Sequence, residues 1–253
     1  VASTMSAAVW STTRLVAAVA VVVLLITPTA PRVTAAQYSP PWAHAFRAHW
    51  PGTGGLDTTN TMNLAKQGLE PEYKASSINP ASAKASMLTY AVHDAIWWMA
   101  GHAGTGFITT YNATNGTTVV NVSNQVPGSS CAGKNACLTD YTFEEMHDIR
   151  VMVFQGCDSG KTLANGDALH KRAKQVLGVD ASVAFGAIIY FSANTSDVWS
   201  FHFANYGRLP TTVLGAAYYS AEDVLFYSGS YHGYKQYSVY GGSTYFFPAA
   251  YGS

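Results

Sequence analysis

Apolar residues recur at helical spacing in several stretches of the chain, separated by long segments of small and polar residues. Asn60 to Gly68 predicts a short helix. In the next stretch Asn79 suits an N-cap and Pro80 the first helical position. Met87, Ala91, Ala95 and Met99 then mark one face, joined by Leu88, Val92 and Ile96, and Gly101 stands where a C-terminal stop is expected. Thr142 and Glu145 form a capping-box pattern ahead of Phe143, Met146, Ile149 and Val153. Asp167 opens a further run closed by Gly178. Asp180 opens another, reaching Asp197, so apolar that it predicts a buried helix. The expected fold is all-α: a helical bundle with long irregular loops and a Tyr/Gly-rich irregular segment over residues 218–253.

The N-terminus adds a targeting signal. Arg14 precedes the apolar run Leu15 to Ile26, which is short for a bilayer span and suits a secretory signal. Small residues around Ala35 make cleavage after Ala36 reasonable, with an uncleaved single-pass anchor as the alternative. The expected organisation is a signal or anchor over residues 1–36, a linker over 37–59, and one helical domain over 60–253, truncated on its C-terminal side. Sequons at Asn112, Asn115, Asn121 and Asn194 agree with export and nominate glycosylation sites. Cys131 and Cys137 lie in one short loop and predict a local disulfide, which leaves Cys157 as the odd cysteine.

Charge narrows the function classes. Lys plus Arg and Asp plus Glu both number 14, so the net charge is zero and nucleic acid is not an expected partner. Membrane contact is expected only through the N-terminal apolar segment. The tyrosines of residues 218–253 suit a half-wet contact surface for a glycan, a protein or a second copy of the chain.

Candidate chemistry centres on His93 and Asp94, adjacent in sequence ahead of Trp97 and Trp98. Neighbours on a helix point about 100° apart, so the pair reads as a structural signature and not as a catalytic dyad. His147 and Asp148 repeat that geometry in a solvated context. Metal binding by His93 with His102, or by His44 with His49, lacks both helical spacing and a third ligand type. Ser228 to Tyr234, "SGSYHGY", lacks the G-x-S-x-G turn of a serine nucleophile.

One family follows the same order of segments. Pro80, Ala83 and Ala91-Val92-His93-Asp94-Ala95, followed by the run from Gln175 to Asp197, resemble the N-terminal helical region of vanadium-dependent haloperoxidases and the type 2 phosphatidic-acid phosphatases. The resemblance implies an all-helical protein that binds vanadate and oxidises halide with hydrogen peroxide. The family's K-x6-R-P, P-S-G-H and S-R-x5-H-x3-D patterns are absent, so no vanadate ligand is assigned to any residue. The expectation is an exported haloperoxidase-like chain lacking its catalytic half and inactive alone. Its rival is a non-enzymatic secreted or surface glycoprotein.

Overall fold

A computed structural model describes residues 42–48, 55–70, 72–78, 88, 91, 94–112, 116–128, 130–207 and 209–245. The chain divides into two units, Val1–Thr34 and Ala35–Ser253, and every described residue belongs to the second. The signal segment, Pro80, His93 and Asn115 lie outside the described residues.

The fold is mixed α/β, not an all-α bundle. Six strands form the main sheet: β1 (Trp42–Phe46), β2 (Lys74–Ile78), β3 (Asp94–Ala100), β8 (Val151–Gln155), β9 (Ala181–Phe185) and β10 (Tyr237–Tyr240). Their order is β10-β9-β8-β3-β1-β2, with every neighbouring pair parallel except β10 on β9. A smaller sheet is inserted between β3 and β8. It comprises β4 (His102–Gly104), β5 (Phe107–Asn112), β6 (Gly116–Asn121) and β7 (Ala136–Cys137), in that order. The helices are α1 (Thr59–Leu69), α2 (Phe143–Met146), α3 (Leu169–Gln175), α4 (Ser196–Tyr206) and α5 (Val213–Ser228).

Burial on both faces explains why the central strands imitate buried helices in the sequence. A parallel strand covered on both sides is apolar at successive positions, so its periodicity does not separate it from a helix. In β3, Trp98 packs edge-on to Trp199 and Phe203 of α4, at centroid distances of 5.7 and 5.4 Å. Its neighbour Trp97 points to the opposite layer, against Phe46 and Phe154. The helix expected over 79–101 is therefore a strand from Asp94 onward, while Leu88 and Ala91 are helical and buried. The helix expected from Asp180 to Asp197 is strand β9 followed by a loop and the start of α4. The helix expected past Thr142 lasts one turn before the chain enters β8.

Both ends of the expected domain also differ. Strand β1 falls within the segment read as a linker and lies between β2 and β3. The C-terminal stretch is not irregular: it contains most of α5 and all of β10. Thr212 caps α5 through Gly215 N–H, and Gly229 ends the helix in the left-handed conformation.

Candidate active site

In an open parallel sheet, ligands bind outside the carboxyl ends of the strands, where the chain leaves for opposite faces. Strands β3 and β8 are neighbours there, and the residues that follow them carry the chemistry. Their parallel register runs from Ile96 opposite Val151 to Ala100 opposite Gln155. His102 and Cys157 each follow the last pair of that register by two residues.

The two strand ends are drawn together. Gly101 N–H donates to the Gln155 carbonyl at 3.1 Å. A Cβ on Gly156 would lie 2.5 Å from the Ala103 Cβ and 2.7 Å from the Gly101 oxygen, so only glycine allows this approach. The residue before the cysteine thus packs on the residues either side of the histidine. His102 is exposed and Cys157 is half-buried with a free thiol.

The turn after β8 is tightly built. Asp158 has φ 57, an uncommon conformation for a residue other than glycine. Its backbone N–H donates to the Ala187 carbonyl, and one carboxylate oxygen pairs with Lys161 at 2.9 Å. The Ser159 hydroxyl donates to the Phe154 carbonyl at 2.7 Å and accepts from Phe185 N–H. These bonds place Cys157 at the start of a rigid turn at the sheet's carboxyl edge.

Beneath the turn lies a buried polar network. The Gln155 side-chain oxygen accepts from Trp98 Nε1 and the Ser200 hydroxyl, each at 2.9 Å. Its nitrogen donates to the Tyr234 hydroxyl at 3.4 Å. Tyr234 is fully buried, which drives its phenol far above the usual range, and Cys157 and Asp197 act in the same direction on it. Asp197 itself is 8% exposed and accepts from the Thr61 hydroxyl at 2.5 Å and from Asn60 Nδ2. The start of α1 and the start of α4 thereby bring a buried carboxylate to the same edge of the sheet.

The residues singled out in the sequence have other places. Asp94 opens β3 and accepts from His44 Nδ1 at 2.6 and 2.7 Å, both side chains being buried. His147 and Asp148 are exposed and lie 3.4 Å apart. Cys131 is bonded to Cys137. That bond consumes both sulfurs of the Cys131, Cys137 and Asp140 group, the one cluster of ligand-type residues among those described. Asn194 is exposed, Asn112 ends β5, and Asn121 is 0% exposed with both amide atoms unpartnered. Arg150 and Arg172 each face a carboxylate, Asp180 and Asp167, so they do not form the convergent cationic cradle that vanadate requires.

His102 and Cys157 are the candidate pair that the sequence did not bring together. Their signal was two apolar runs, each ending in glycine immediately before the reactive residue: Ile96 to Gly101, and Val151 to Gly156. No family model and no curated protein matches the chain.

Proposed function

We propose that the chain is a cysteine hydrolase of peptide or related acyl bonds, with Cys157 as nucleophile and His102 as general base. The observation that carries this reading is that a free thiol and a histidine each follow the carboxyl end of one of two adjacent parallel strands, whose ends are held in contact through Gly101, Ala103 and Gly156. A thiol paired with an imidazole is the minimum apparatus of covalent acyl transfer. Cysteine peptidases of the caspase type carry a Gln-Ala-Cys-x-Gly sequence with the histidine about 50 residues upstream. Gln155-Gly156-Cys157-Asp158-Ser159-Gly160 is similar, with glycine in place of alanine and one residue more before the final glycine.

The reaction divides into two acyl transfers. Cys157 gives its proton to His102 and its sulfur attacks the substrate carbonyl carbon. Collapse of the tetrahedral adduct breaks the C–N bond as His102 returns the proton to the departing amine, leaving a thioester. Water, deprotonated by His102, then attacks the thioester and the Cys157 sulfur leaves with the proton. The buried Asp197 carboxylate favours a basic substrate side chain beside the scissile bond. Its hydrogen-bond donors are neutral, and no described cation forms an ion pair with it.

Support for export comes from the Cys131–Cys137 bond, since disulfides persist mainly in oxidising compartments. Among the described residues no helix is long and apolar enough to cross a membrane. The deciding experiment is hydrolysis of a fluorogenic peptide library by the full chain. Activity on Arg or Lys peptides that Cys157→Ala and His102→Ala both abolish supports the reading. Activity that survives both substitutions overturns it.

A contact surface is a second reading with its own observation. Along α5, Tyr218, Tyr219, Phe226 and Tyr227 are exposed, Phe226 at 81%. Such a row of aromatic side chains suits a protein or glycan partner, or a second copy of the chain. Phe226→Ser with Tyr227→Ser abolishes self-association or glycan retention if this face is used; unchanged behaviour removes it. The haloperoxidase resemblance rests partly on Asp94–Ala100 and Ala181–Phe185, which are strands, and no observation favours taking it further.

A further inference from the structure

The Cys157 thiol donates to the Ile189 carbonyl at 3.3 Å. Ile189 follows β9, which flanks β8 on one side, whereas His102 follows β3 on the other. The thiol proton is therefore turned away from the side of its base. The segment that receives it is clamped from above. A Cβ on Gly233 would sit 2.0 Å from the Ile188 oxygen, so the turn before Tyr234 presses directly on this backbone. The Tyr234 hydroxyl donates to the next carbonyl along, Tyr190, at 3.3 Å, while accepting from Gln155. One buried phenol thus ties the last residue of the nucleophile's strand to the segment that holds the nucleophile's proton.

We infer that Tyr234 is a positioning residue that keeps residues 188–190 against Cys157, parking the thiol on Ile189 until the segment shifts and the proton passes to His102. The inference rests on the Cys157–His102 reading. Burial keeps the Tyr234 phenol protonated, so its donor function is permanent and release comes from moving the segment. A substrate that pairs with the backbone of residues 188–190 would supply that movement, and exposed Ile188 and Tyr190 offer it apolar contacts.

The test uses the full chain with its disulfide intact, in which Cys157 is the only free thiol of three cysteines. Its alkylation by iodoacetamide is timed in the unsubstituted protein, Tyr234→Phe, Tyr234→Met, His102→Ala and the Tyr234→Phe/His102→Ala double variant. Tyr231→Phe, on the same turn but bonded to Glu222, is the control. Tyr234→Phe and Tyr234→Met, which both remove the hydroxyl, should each react about fivefold faster, the net worth of one hydrogen bond. Tyr231→Phe should not, and the gain should vanish when His102 is absent. An unchanged rate in the folded Tyr234→Phe protein overturns the inference, with Tyr234→Met serving if that variant does not fold. A gain of equal size without His102 also overturns it, because general loosening exposes the thiol regardless of its base. Peptide hydrolysis is measured alongside. Hydrolysis lost in Cys157→Ala and His102→Ala, with no alkylation gain in Tyr234→Phe, keeps the dyad and removes the role of Tyr234. Hydrolysis that survives both site substitutions removes the dyad itself.

Discussion

Gly156 lies so close to Ala103 that any larger residue there would collide with the strand that carries His102. This contact joins two segments far apart in sequence and sets the spacing between the strand ends that carry Cys157 and His102. A methyl group added at Gly156 has backbone on one side and a packed Cβ on the other, so it has no easy escape. Gly156→Ala should cost about 1–3 kcal/mol in stability and lower hydrolysis by more than that loss of folded protein explains. Urea unfolding together with kcat/KM measured at low temperature separates the two effects.

Gln155 is the buried support of the same turn. Replacing it by leucine would leave Trp98 Nε1 and the Ser200 hydroxyl without their acceptor. Each orphaned donor costs about 1–3 kcal/mol. A fall in the urea midpoint should be accompanied by altered tryptophan fluorescence, because Trp98 loses its partner. An unchanged midpoint would show that the network is not a support.

His170 makes stability depend on acid. Burial pushes its imidazole down to about 4, and only Nε2 has a partner, the Ser238 hydroxyl at 2.8 Å. The unfolded group titrates near the ordinary value of about 6.5, so between these values the unfolded chain binds the extra proton. Its contribution to stability is therefore complete above about pH 6.5 and is lost progressively as pH falls through about 4. Unfolding midpoints measured from pH 7 to 4 should fall less steeply in His170→Gln than in the unsubstituted protein.

The buried His44–Asp94 contact should matter to folding and not to chemistry. Asp94 sits at the amino end of β3, and His102 follows its carboxyl end. Asp94→Ala should lower stability by about 3–5 kcal/mol, the cost of leaving one member of a buried pair alone. The alkylation rate of Cys157 in the protein that remains folded should not change.

Glycosylation separates two of the sequons. In a eukaryotic secretory host, Asn194 should carry glycan and Asn121 should not, because Asn121 is enclosed in the small sheet. Peptide mapping by mass spectrometry reads both sites directly.

How much was legible depended on the range of the interaction. The helices over Thr59–Leu69 and Leu169–Gln175 announce themselves by local pattern, as does the Thr142–Glu145 capping box. Helix bonds and caps join residues a few positions apart, so a short window of sequence contains both partners. Burial was equally visible: the runs from Ile96 to Ala100 and from Ala181 to Phe185 were apolar enough to demand a core position. Their backbone conformation was not visible. A strand's hydrogen bonds go to other strands, here in registers that set Val151 opposite Ala181 and Ile96 opposite Val151, and those partners do not appear in the local pattern.

The site belongs to the same division. Sequence determined that Cys157 and His102 each follow a largely apolar run and a glycine, and that the chain is neutral and rich in aromatic residues. Tertiary structure alone decided that β3 and β8 are neighbours, that His102 and Cys157 follow their adjoining carboxyl ends, and that Tyr234 bonds to Gln155 beneath. The reason is that residues 55 positions apart in the chain are brought to one edge of the sheet by strand pairing, which no local spacing encodes.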